Sequence, residues 1–338
     1  MNKYIKAIIL TIIAGAVFAG CTAGGGNGSS ADDLKEVKLG YPIGANDFID
    51  GVGGLALELG YLEEELEKEG FKLNSQGFTG AGPAVNEALA SGNIDFALYA
   101  DFPGIVIQSR GIDTRLISIV NTQGHAGIVV GDDSGIESVA DLKGKKIAYP
   151  RGTFIQKYLL QALEEYGLSE DDVELINMTT DAEAALVSGD VDAIAYTDGV
   201  IANLAFEKNI GKIINTSREN DDWTGAFVLI GRSDFLDGNE KAATAFLRAF
   251  IRAKEYAVEN PQSAYEIFAE KSRISIETAE YLYGSDEGAF EFFSLEIEPL
   301  GLDKVSSNKD FLINEGLIQN DFDVYQWGDN SYYEEANR

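Results

Sequence analysis

The chain has 338 residues, of which 45% are hydrophobic, and its formal net charge at pH 7 is −30. This charge argues against nucleic-acid binding, which depends on basic side chains that displace counterions from phosphates. The single cysteine and single histidine allow neither an internal disulfide nor a usual structural zinc site. We therefore expect no metal and no cofactor.

The first twenty residues have the pattern of an export signal. Lys3 and Lys6 precede an uncharged apolar run, residues 7–20, which is shorter than the roughly 20 residues that span a membrane as a helix. The segment VFAGC, which ends at Cys21, resembles the lipobox of bacterial lipoproteins, although Phe18 stands where Leu is commoner. The resemblance implies cleavage before Cys21 and acylation of its sulfur. An ordinary signal peptide with an incidental cysteine is the alternative.

Residues 21–35 are rich in Gly and Ser, a composition typical of a flexible tether. The first predicted elements after the tether are a strand at 37–41, a helix at 51–59, a strand at 71–77, a helix at 83–90 and a strand at 94–99. Alternating strands and helices predict an α/β fold in which crossover helices connect mainly parallel strands.

The next predicted elements repeat this order. Residues 88–101 (ALASGNIDFALYAD) align without gaps with residues 185–198 (ALVSGDVDAIAYTD), and seven of the 14 positions are identical. In each copy a helix ends at a glycine, Gly92 or Gly189, which favours the left-handed turn at a helix C-terminus. The second copy comprises a strand at 146–149, a helix at 154–166, a strand at 173–178, a helix that begins with a Thr180–Glu183 capping box, and a strand at 191–196.

A strand at 226–231 and helices at 240–259, 261–271 and 275–283 are predicted to follow. The two copies predict two similar lobes with mixed sheets: residues 36–123 and 229–338 form lobe 1, and residues 124–228 form lobe 2. The chain would cross between the lobes near 121–126 and 223–231, which makes a two-segment hinge. Ligands of open α/β sheets bind beyond the carboxyl ends of the strands, so we expect a binding cleft between the lobes.

Two segments carry a family resemblance. Residues 80–95 (GAGPAVNEALASGNID) with 100–103 (ADFP), and residues 138–150 (SVADLKGKKIAYP) with Gly152 and Thr153, resemble the substrate-binding proteins of ABC importers for nitrate, alkanesulfonates and taurine. The family commonly has Gly-Asp where this chain has Ala100-Asp101. The resemblance implies a type II periplasmic-binding fold and no bond-breaking chemistry. It also implies that the protein delivers a small organic anion, such as an alkanesulfonate or taurine, to a permease with a cytoplasmic ATPase.

Together with the lipobox, the resemblance places the protein outside the cytoplasm, anchored to the membrane through Cys21, and we expect a monomer. Three alternatives remain open. The solute could be a thiamine-pyrimidine-like or other organic compound, or the protein could be a surface sensor without a transporter. The third alternative is an enzyme related to the thiamine-pyrimidine synthases, which have a similar fold. Those enzymes have a cysteine-rich, histidine-bearing active site that this chain lacks.

Helix N-termini supply hydrogen-bond donors for an anion. Thr79, Gly80, Ala81 and Gly82 precede one predicted helix, and Gly152 and Thr153 precede the corresponding helix of the second copy. Arg151 would add a guanidinium that binds sulfonate or carboxylate in a bidentate manner, unless it is a solvated surface residue.

Asp101 and Asp198 occupy equivalent positions in the repeat. They would either bind an amino group of a zwitterionic ligand or cap the helices that follow, and the capping role is favoured. His125 could likewise bind a ligand or satisfy the hinge backbone, and the hinge role is favoured. The predicted ligand-binding set is completed by Asn46 and by aromatic residues near the cleft: Tyr41, Phe48, Phe102, Phe154, Tyr196 and Trp223.

Overall fold

The computed structural model describes residues 34–44, 47–79, 81–285 and 288–338. The predicted signal peptide, almost all of the tether, Cys21, Asn46 and Gly80 lie outside the described residues.

Ten strands in the described part of the chain form two five-stranded sheets. The strands are β1 (Lys35–Pro42), β2 (Phe71–Phe78), β3 (Phe96–Ala100), β4 (Thr114–Gly124), β5 (Ala126–Gly131), β6 (Lys146–Tyr149), β7 (Glu174–Asn177), β8 (Ala193–Thr197), β9 (Gly211–Thr216) and β10 (Gly225–Arg232). The first sheet has the order β2-β1-β3-β10-β4 and the second has the order β7-β6-β8-β5-β9.

Each sheet is mixed. In the first sheet β1 is parallel to β2 and β3, whereas β10 is antiparallel to β3 and β4. In the second sheet β6 is parallel to β7 and β8, whereas β5 is antiparallel to β8 and β9. The predicted α/β fold with two mixed sheets is confirmed, although parallel pairings do not outnumber antiparallel ones.

Fourteen α-helices surround the sheets in the described part of the chain. They are α1 (Val52–Glu58), α2 (Tyr61–Lys68), α3 (Ala81–Ala90), α4 (Asp101–Ser109), α5 (Phe154–Glu165), α6 (Ala182–Ser188), α7 (Asp198–Ala202), α8 (Ser233–Leu236), α9 (Glu240–Glu259), α10 (Pro261–Ser272), α11 (Ile276–Tyr283), α12 (Pro299–Asn314), α13 (Val324–Trp327) and α14 (Ser331–Ala336). No helix among these is both long and apolar enough to span a membrane.

The chain passes between the sheets twice. The first passage is His125, between β4 and β5, and lies within the predicted stretch 121–126. The second passage, residues 217–224, runs from β9 to β10 and lies mostly ahead of the predicted 223–231. Because β1 is parallel to β2 and β3, and β6 is parallel to β7 and β8, the two copies of the repeat arrange the carboxyl ends of these strands in the same way.

Local sequence explains most helix ends. Gly92 and Gly189 have φ angles of 74° and 78°, the left-handed conformation that glycine adopts most readily. The predicted Thr180–Glu183 capping box is wrong: Asp181 is the N-cap of α6 and makes no side-chain capping bond. The Glu183 carboxylate instead accepts hydrogen bonds from Lys208, at 2.6 and 2.8 Å, so it is not available to the helix start.

The hydrophobic core is shared between the sheets. One cluster joins Ala97 and Ile119 of the first sheet with Ile128 and Ile147 of the second sheet, and it includes Val305 of α12. A second cluster lies under α9 on the first sheet, where the rings of Phe96 and Phe246 are 4.7 Å apart. A third cluster, which includes Val129 and Ile194, belongs to the second sheet. Each sheet therefore has a cluster of its own, and the cluster that includes Val305 connects the two sheets.

Candidate ligand-binding site

A cavity of about 260 Å³ lies where the two sheets meet. Tyr41 at the end of β1, Tyr99 of β3 and Phe227 of β10 line one side, and Thr197 and Asp198 at the β8–α7 junction line the other. Ligand pockets typically measure about 300–1,000 Å³, so this cavity fits a small solute. Its position at the strand ends agrees with the place where open α/β sheets bind ligands.

The later part of the chain supplies an aromatic wall. Leu282 and Tyr283 at the end of α11, together with Phe292 and Phe293, line the cavity. The Tyr283 ring is stacked on the Phe268 ring with 4.0 Å between centroids, so its orientation is fixed from behind. Sequence reasoning missed these residues, although the aromatic run at 290–293 was a signal that could have found them.

A tight turn at the start of α1 forms another edge of the cavity. Gly51 has a φ of 75°, and Gly54 packs so closely that a Cβ there would lie 1.6 Å from the Ile49 carbonyl oxygen. The turn places the Asp50 carboxylate beside the cavity, where it accepts hydrogen bonds from the Gly51 N–H at 2.9 Å and from the Tyr283 hydroxyl.

Asp198 also lines the cavity, but its carboxylate is engaged within the protein. One oxygen pairs with the Arg218 guanidinium, and the other accepts a hydrogen bond from the Tyr281 hydroxyl at 3.3 Å. Burial raises the pKa of Asp198, and the charge and hydrogen bond of Arg218 offset part of that rise. Asp198 begins α7 without a side-chain capping bond, so the predicted capping role is not observed.

Asp101, the equivalent residue of the first copy, does not line the cavity. It is fully buried, and its carboxylate accepts a hydrogen bond at 2.7 Å from Asn308 of α12. Burial raises its pKa to about 6, although the hydrogen bond from Asn308 and the charge of Lys157 lower it. No side-chain cap is formed at the start of α4 either, so the contact with α12 replaces the predicted cap.

The predicted anion donors of the second copy are engaged by other residues of the protein. Gly152 donates its N–H to Gln156 at 2.8 Å, and Gln156 donates in turn to Glu315, just beyond α12, at 3.0 Å. Thr153 is the N-cap residue of α5, as predicted, but its hydroxyl donates to the Pro150 carbonyl at 2.7 Å.

The Arg151 guanidinium is exposed, and its backbone N–H donates to Asn177 at 3.0 Å. Neither Arg151, Gly152 nor Thr153 lines the cavity. Thr79 and Ala81 are exposed beside the start of α3, where Ala81 has a φ of 53°. Gly82 packs on Pro103, and a Cβ on this glycine would lie 2.3 Å from the proline ring.

Of the predicted aromatic residues only Tyr41 lines the cavity. The others pack against neighbouring residues: Phe48 on Phe268, Phe102 on Phe311, Phe154 on Phe227, Trp223 on Tyr158, and Tyr196 through a hydrogen bond from its hydroxyl to the Met178 carbonyl. Phe154 thus contacts Phe227, which lines the cavity, with 6.3 Å between the ring centroids, but does not line the cavity itself.

The polar character of the cavity differs from the predicted one. Its described lining includes the carboxylates of Asp50 and Asp198, and no lysine or arginine. Neutral polar side chains, Asn121 and Gln123 at the end of β4 and His125 of the first passage, also line the cavity. In the described part of the chain, no cluster of His, Cys, Asp or Glu side chains could hold a metal ion.

Comparisons with known proteins agree with this architecture. Over 335 residues the chain is 29% identical to a Bacillus subtilis protein named as an aliphatic sulfonates-binding protein, which covers 98% of this chain and 96% of that protein. It is 30% identical over 185 residues to the taurine-binding periplasmic protein of Escherichia coli, covering 54% and 56% of the two chains.

Among solved structures, a periplasmic sulfonate-binding protein of a sulfonate ABC transporter from Methylobacillus flagellatus has the same fold, with a TM-score of 0.74, 24% identity and coverage of 90% and 94% of the two chains. A desulfurization enzyme, solved as a cysteine-to-serine mutant with biphenyl-2-sulfinic acid, has a TM-score of 0.72 at 17% identity, covering 90% and 99%. The fold therefore serves both binding proteins and an enzyme. The model of the family described as NMT1/THI5 like matches residues 55–264, more than half of the sequence, and the chain belongs to this family.

Proposed function

We propose that this protein is the extracytoplasmic solute-binding receptor of an ABC importer. It holds a small organic anion, an alkanesulfonate or a taurine-like compound, in the cavity between the two sheets. The observation that carries the proposal is the cavity itself, which opens at the strand ends of both sheets and has an aromatic wall. The names of the relatives that match along the chain support the choice of solute.

The cavity suits an organic molecule with a polar head. Phe227, Phe292 and Phe293 offer apolar surface to a carbon chain. Of the two lining carboxylates, Asp198 is paired with Arg218, whereas Asp50 accepts hydrogen bonds from two neutral groups, the Gly51 N–H and the Tyr283 hydroxyl. Neutral donors at the end of β4 and at His125 would bind the oxygen atoms of the anion.

The proposal includes the rest of the import system. The receptor is a monomer, anchored through acylated Cys21 on the tether of residues 21–35, and it delivers its solute to a permease with a cytoplasmic ATPase. Residues 36–123 and 229–338 move against residues 124–228 when the solute enters. Replacement of Cys21 by Ser should shift the protein from the membrane fraction to the soluble fraction, and retention in the membrane would contradict the anchor.

Binding without turnover is proposed because the Ser–His contact beside the cavity is not built for catalysis. The Ser217 hydroxyl lies 3.2 Å from His125 Nδ1, but Ser217 is fully buried and does not line the cavity. A nucleophile must reach its substrate, so this hydroxyl would not attack a bound solute. Incubation with a sulfonate and analysis by mass spectrometry should recover the solute unchanged.

Titration calorimetry tests the solute class. The purified protein, freed of retained ligand by unfolding and refolding, is titrated with ethanesulfonate, taurine, nitrate and a hydroxymethyl pyrimidine. We expect a sulfonate to bind most tightly. Phe227→Ala should weaken binding about tenfold, or ~1.4 kcal/mol, because it removes part of the apolar wall.

Leu300→Ala, at an exposed position away from the cavity, is the matched control and should leave the affinity unchanged. If the pyrimidine binds most tightly, the solute belongs to the thiamine-pyrimidine-like class and not to the sulfonates. A Phe227→Ala variant that is folded and binds as tightly as the unmodified protein would show that the solute binds elsewhere.

A further inference from the structure

We propose that His125 is a neutral hydrogen-bond donor of the cavity. Ser217 holds Nδ1 of the imidazole as an acceptor, so that Nε2 carries the proton and donates it to an oxygen atom of the bound solute. The inference rests on the proposed function for the nature of the solute, and it makes His125 a specificity-determining residue of that same site.

The backbone holds His125 at the junction of the two sheets. The residue is the single one between β4 and β5, and its carbonyl oxygen accepts a hydrogen bond from the Asp198 N–H at 3.0 Å. Its half-buried side chain lines the cavity. The backbone of His125 is therefore linked to both sheets, since Asp198 begins α7 directly after β8.

The hydrogen bonds of Ser217 determine the tautomer. Its hydroxyl oxygen accepts the N–H of Ala126 at 3.0 Å and lies 3.2 Å from His125 Nδ1. The Ser217 oxygen has a second lone pair that an Nδ1–H group would occupy, but the hydrogen of this buried hydroxyl would then have no acceptor among the hydrogen bonds of the described residues. We therefore assign Nδ1 as the acceptor, with the imidazole proton on Nε2.

The charges around the ring keep it neutral. The charges that act on it are those of Arg218 and of Lys304 in α12, and Arg218 is itself paired with the carboxylate of Asp198. Lys304 is held in place by the Thr122 and Asp221 carbonyl oxygens, at 2.9 and 2.7 Å. Burial, together with the positive charges of Arg218 and Lys304, lowers the pKa of His125 to about 4.

The Nε2 atom is the free end of this arrangement. It makes no hydrogen bond to any residue that the structure describes, whereas Nδ1 contacts Ser217 and the carbonyl oxygen accepts from the Asp198 N–H. A half-buried N–H that lines a binding cavity gains stability when it finds an acceptor. A sulfonate oxygen is such an acceptor, and a neutral donor binds it without placing another positive charge beside Arg218 and Lys304.

The chain contains one histidine, which makes a spectroscopic test direct. Long-range ¹H–¹⁵N correlation spectra of the untagged, ¹⁵N-labelled protein report the tautomer of His125 without resonance assignment. We expect the Nε2–H tautomer near pH 7 in the ligand-free protein, and a shift of the Nε2 resonance when ethanesulfonate is added. A Nδ1–H tautomer, a protonated ring near pH 7, or an Nε2 resonance that ethanesulfonate leaves unchanged at saturation would overturn the proposal.

Variants test the role in binding. His125→Gln keeps a donor near the position of Nε2, whereas His125→Phe keeps the ring shape and removes the donor. We expect His125→Phe to weaken ethanesulfonate binding at least tenfold, and His125→Gln to weaken it less. Equal affinity of a folded His125→Phe variant and the unmodified protein would overturn the assignment.

Failure of the proposed function has a different signature. If ethanesulfonate does not bind the unmodified protein, the solute class is wrong, while the tautomer measured without ligand still decides the state of His125. Ser217→Ala, which should release the constraint on the tautomer and produce a mixture of both forms, gives a second ligand-free readout. An unchanged tautomer in Ser217→Ala would refute the role of Ser217.

Discussion

Replacement of Asp101 by Asn should change how the stability of the protein depends on pH. Asp101 is fully buried between β3 and α12, where it accepts a hydrogen bond from Asn308. Burial raises its pKa from 3.8 in the unfolded chain to about 6 in the native protein. Between these two values the native protein binds more protons at this site than the unfolded chain, so its stability falls as the pH rises.

The magnitude follows from linkage. One pKa unit corresponds to about 1.36 kcal/mol, so the ionised Asp101 carboxylate costs the native state about 3 kcal/mol well above pH 6. For the interval from about pH 5 to about pH 7.5, the same two pKa values give a loss of ~1.4 kcal/mol in the free energy of unfolding. The amide introduced by Asp101→Asn cannot titrate, so this variant should lack this part of the pH dependence.

Urea unfolding at about pH 5 and about pH 7.5 measures the effect. The comparison uses the difference between the two pH values, because the new amide also alters hydrogen bonding to Asn308 at both. Glu87→Gln, at an exposed carboxylate on α3, controls for the loss of one negative charge. If Asp101→Asn and the unmodified protein lose the same free energy of unfolding between the two pH values, Asp101 is not a buried carboxylate with a raised pKa.

Two further predictions concern packing. Gly54→Ala would place a Cβ 1.6 Å from the Ile49 carbonyl oxygen. The turn beside the cavity must then move, so both stability and solute affinity should fall. Gly44→Ala, where a Cβ would meet nothing within 4 Å, is the control, and equal melting temperatures for the two variants would contradict the close packing at Gly54. Phe250→Ala removes a fully buried ring from α9 and should lower the free energy of unfolding by about 3–5 kcal/mol in denaturant titrations. Val258→Ala, at a side chain of the same helix that is 39% exposed, should cost about 0.5 kcal/mol or less, and a similar loss for both variants would place Phe250 outside the core.

The architecture of the two sheets could be predicted because its signals are local. Each copy of the repeat contains a glycine that ends a helix, and Gly92 and Gly189 adopt the left-handed conformation that this role requires. The helix Glu240–Glu259 was predicted with its observed bounds from the spacing of its apolar residues. Each signal is contained in at most 20 neighbouring residues, and no distant contact is needed to interpret it.

The site could not be predicted in the same way, because distant segments build it. The hydroxyl of Tyr283 reaches Asp50 across 233 residues of sequence, and Asn308 reaches Asp101 across 207. Helix α12 carries no sequence motif that predicts its place in the fold, yet it supplies Asn308, the hydrogen-bond partner of Asp101. Equivalent residues of the two copies consequently have different surroundings. Asp198 lines the cavity, whereas Asp101 is buried against α12, and repeat symmetry alone does not predict this difference.

The net charge of the protein acts on a solute at a longer range than the side chains that line the cavity. A formal net charge of −30 repels an approaching anion, but salt screens that field beyond about 8 Å at physiological ionic strength. Within the cavity the Asp198 carboxylate is paired with Arg218, and the Asp50 carboxylate accepts hydrogen bonds from the Tyr283 hydroxyl and the Gly51 N–H. An anion that enters would therefore meet one ion pair, one carboxylate with neutral hydrogen-bond partners, and the neutral donors of Asn121, Gln123 and His125. The acidic surface affects how fast such a solute arrives, while His125 and the aromatic wall decide which solute stays.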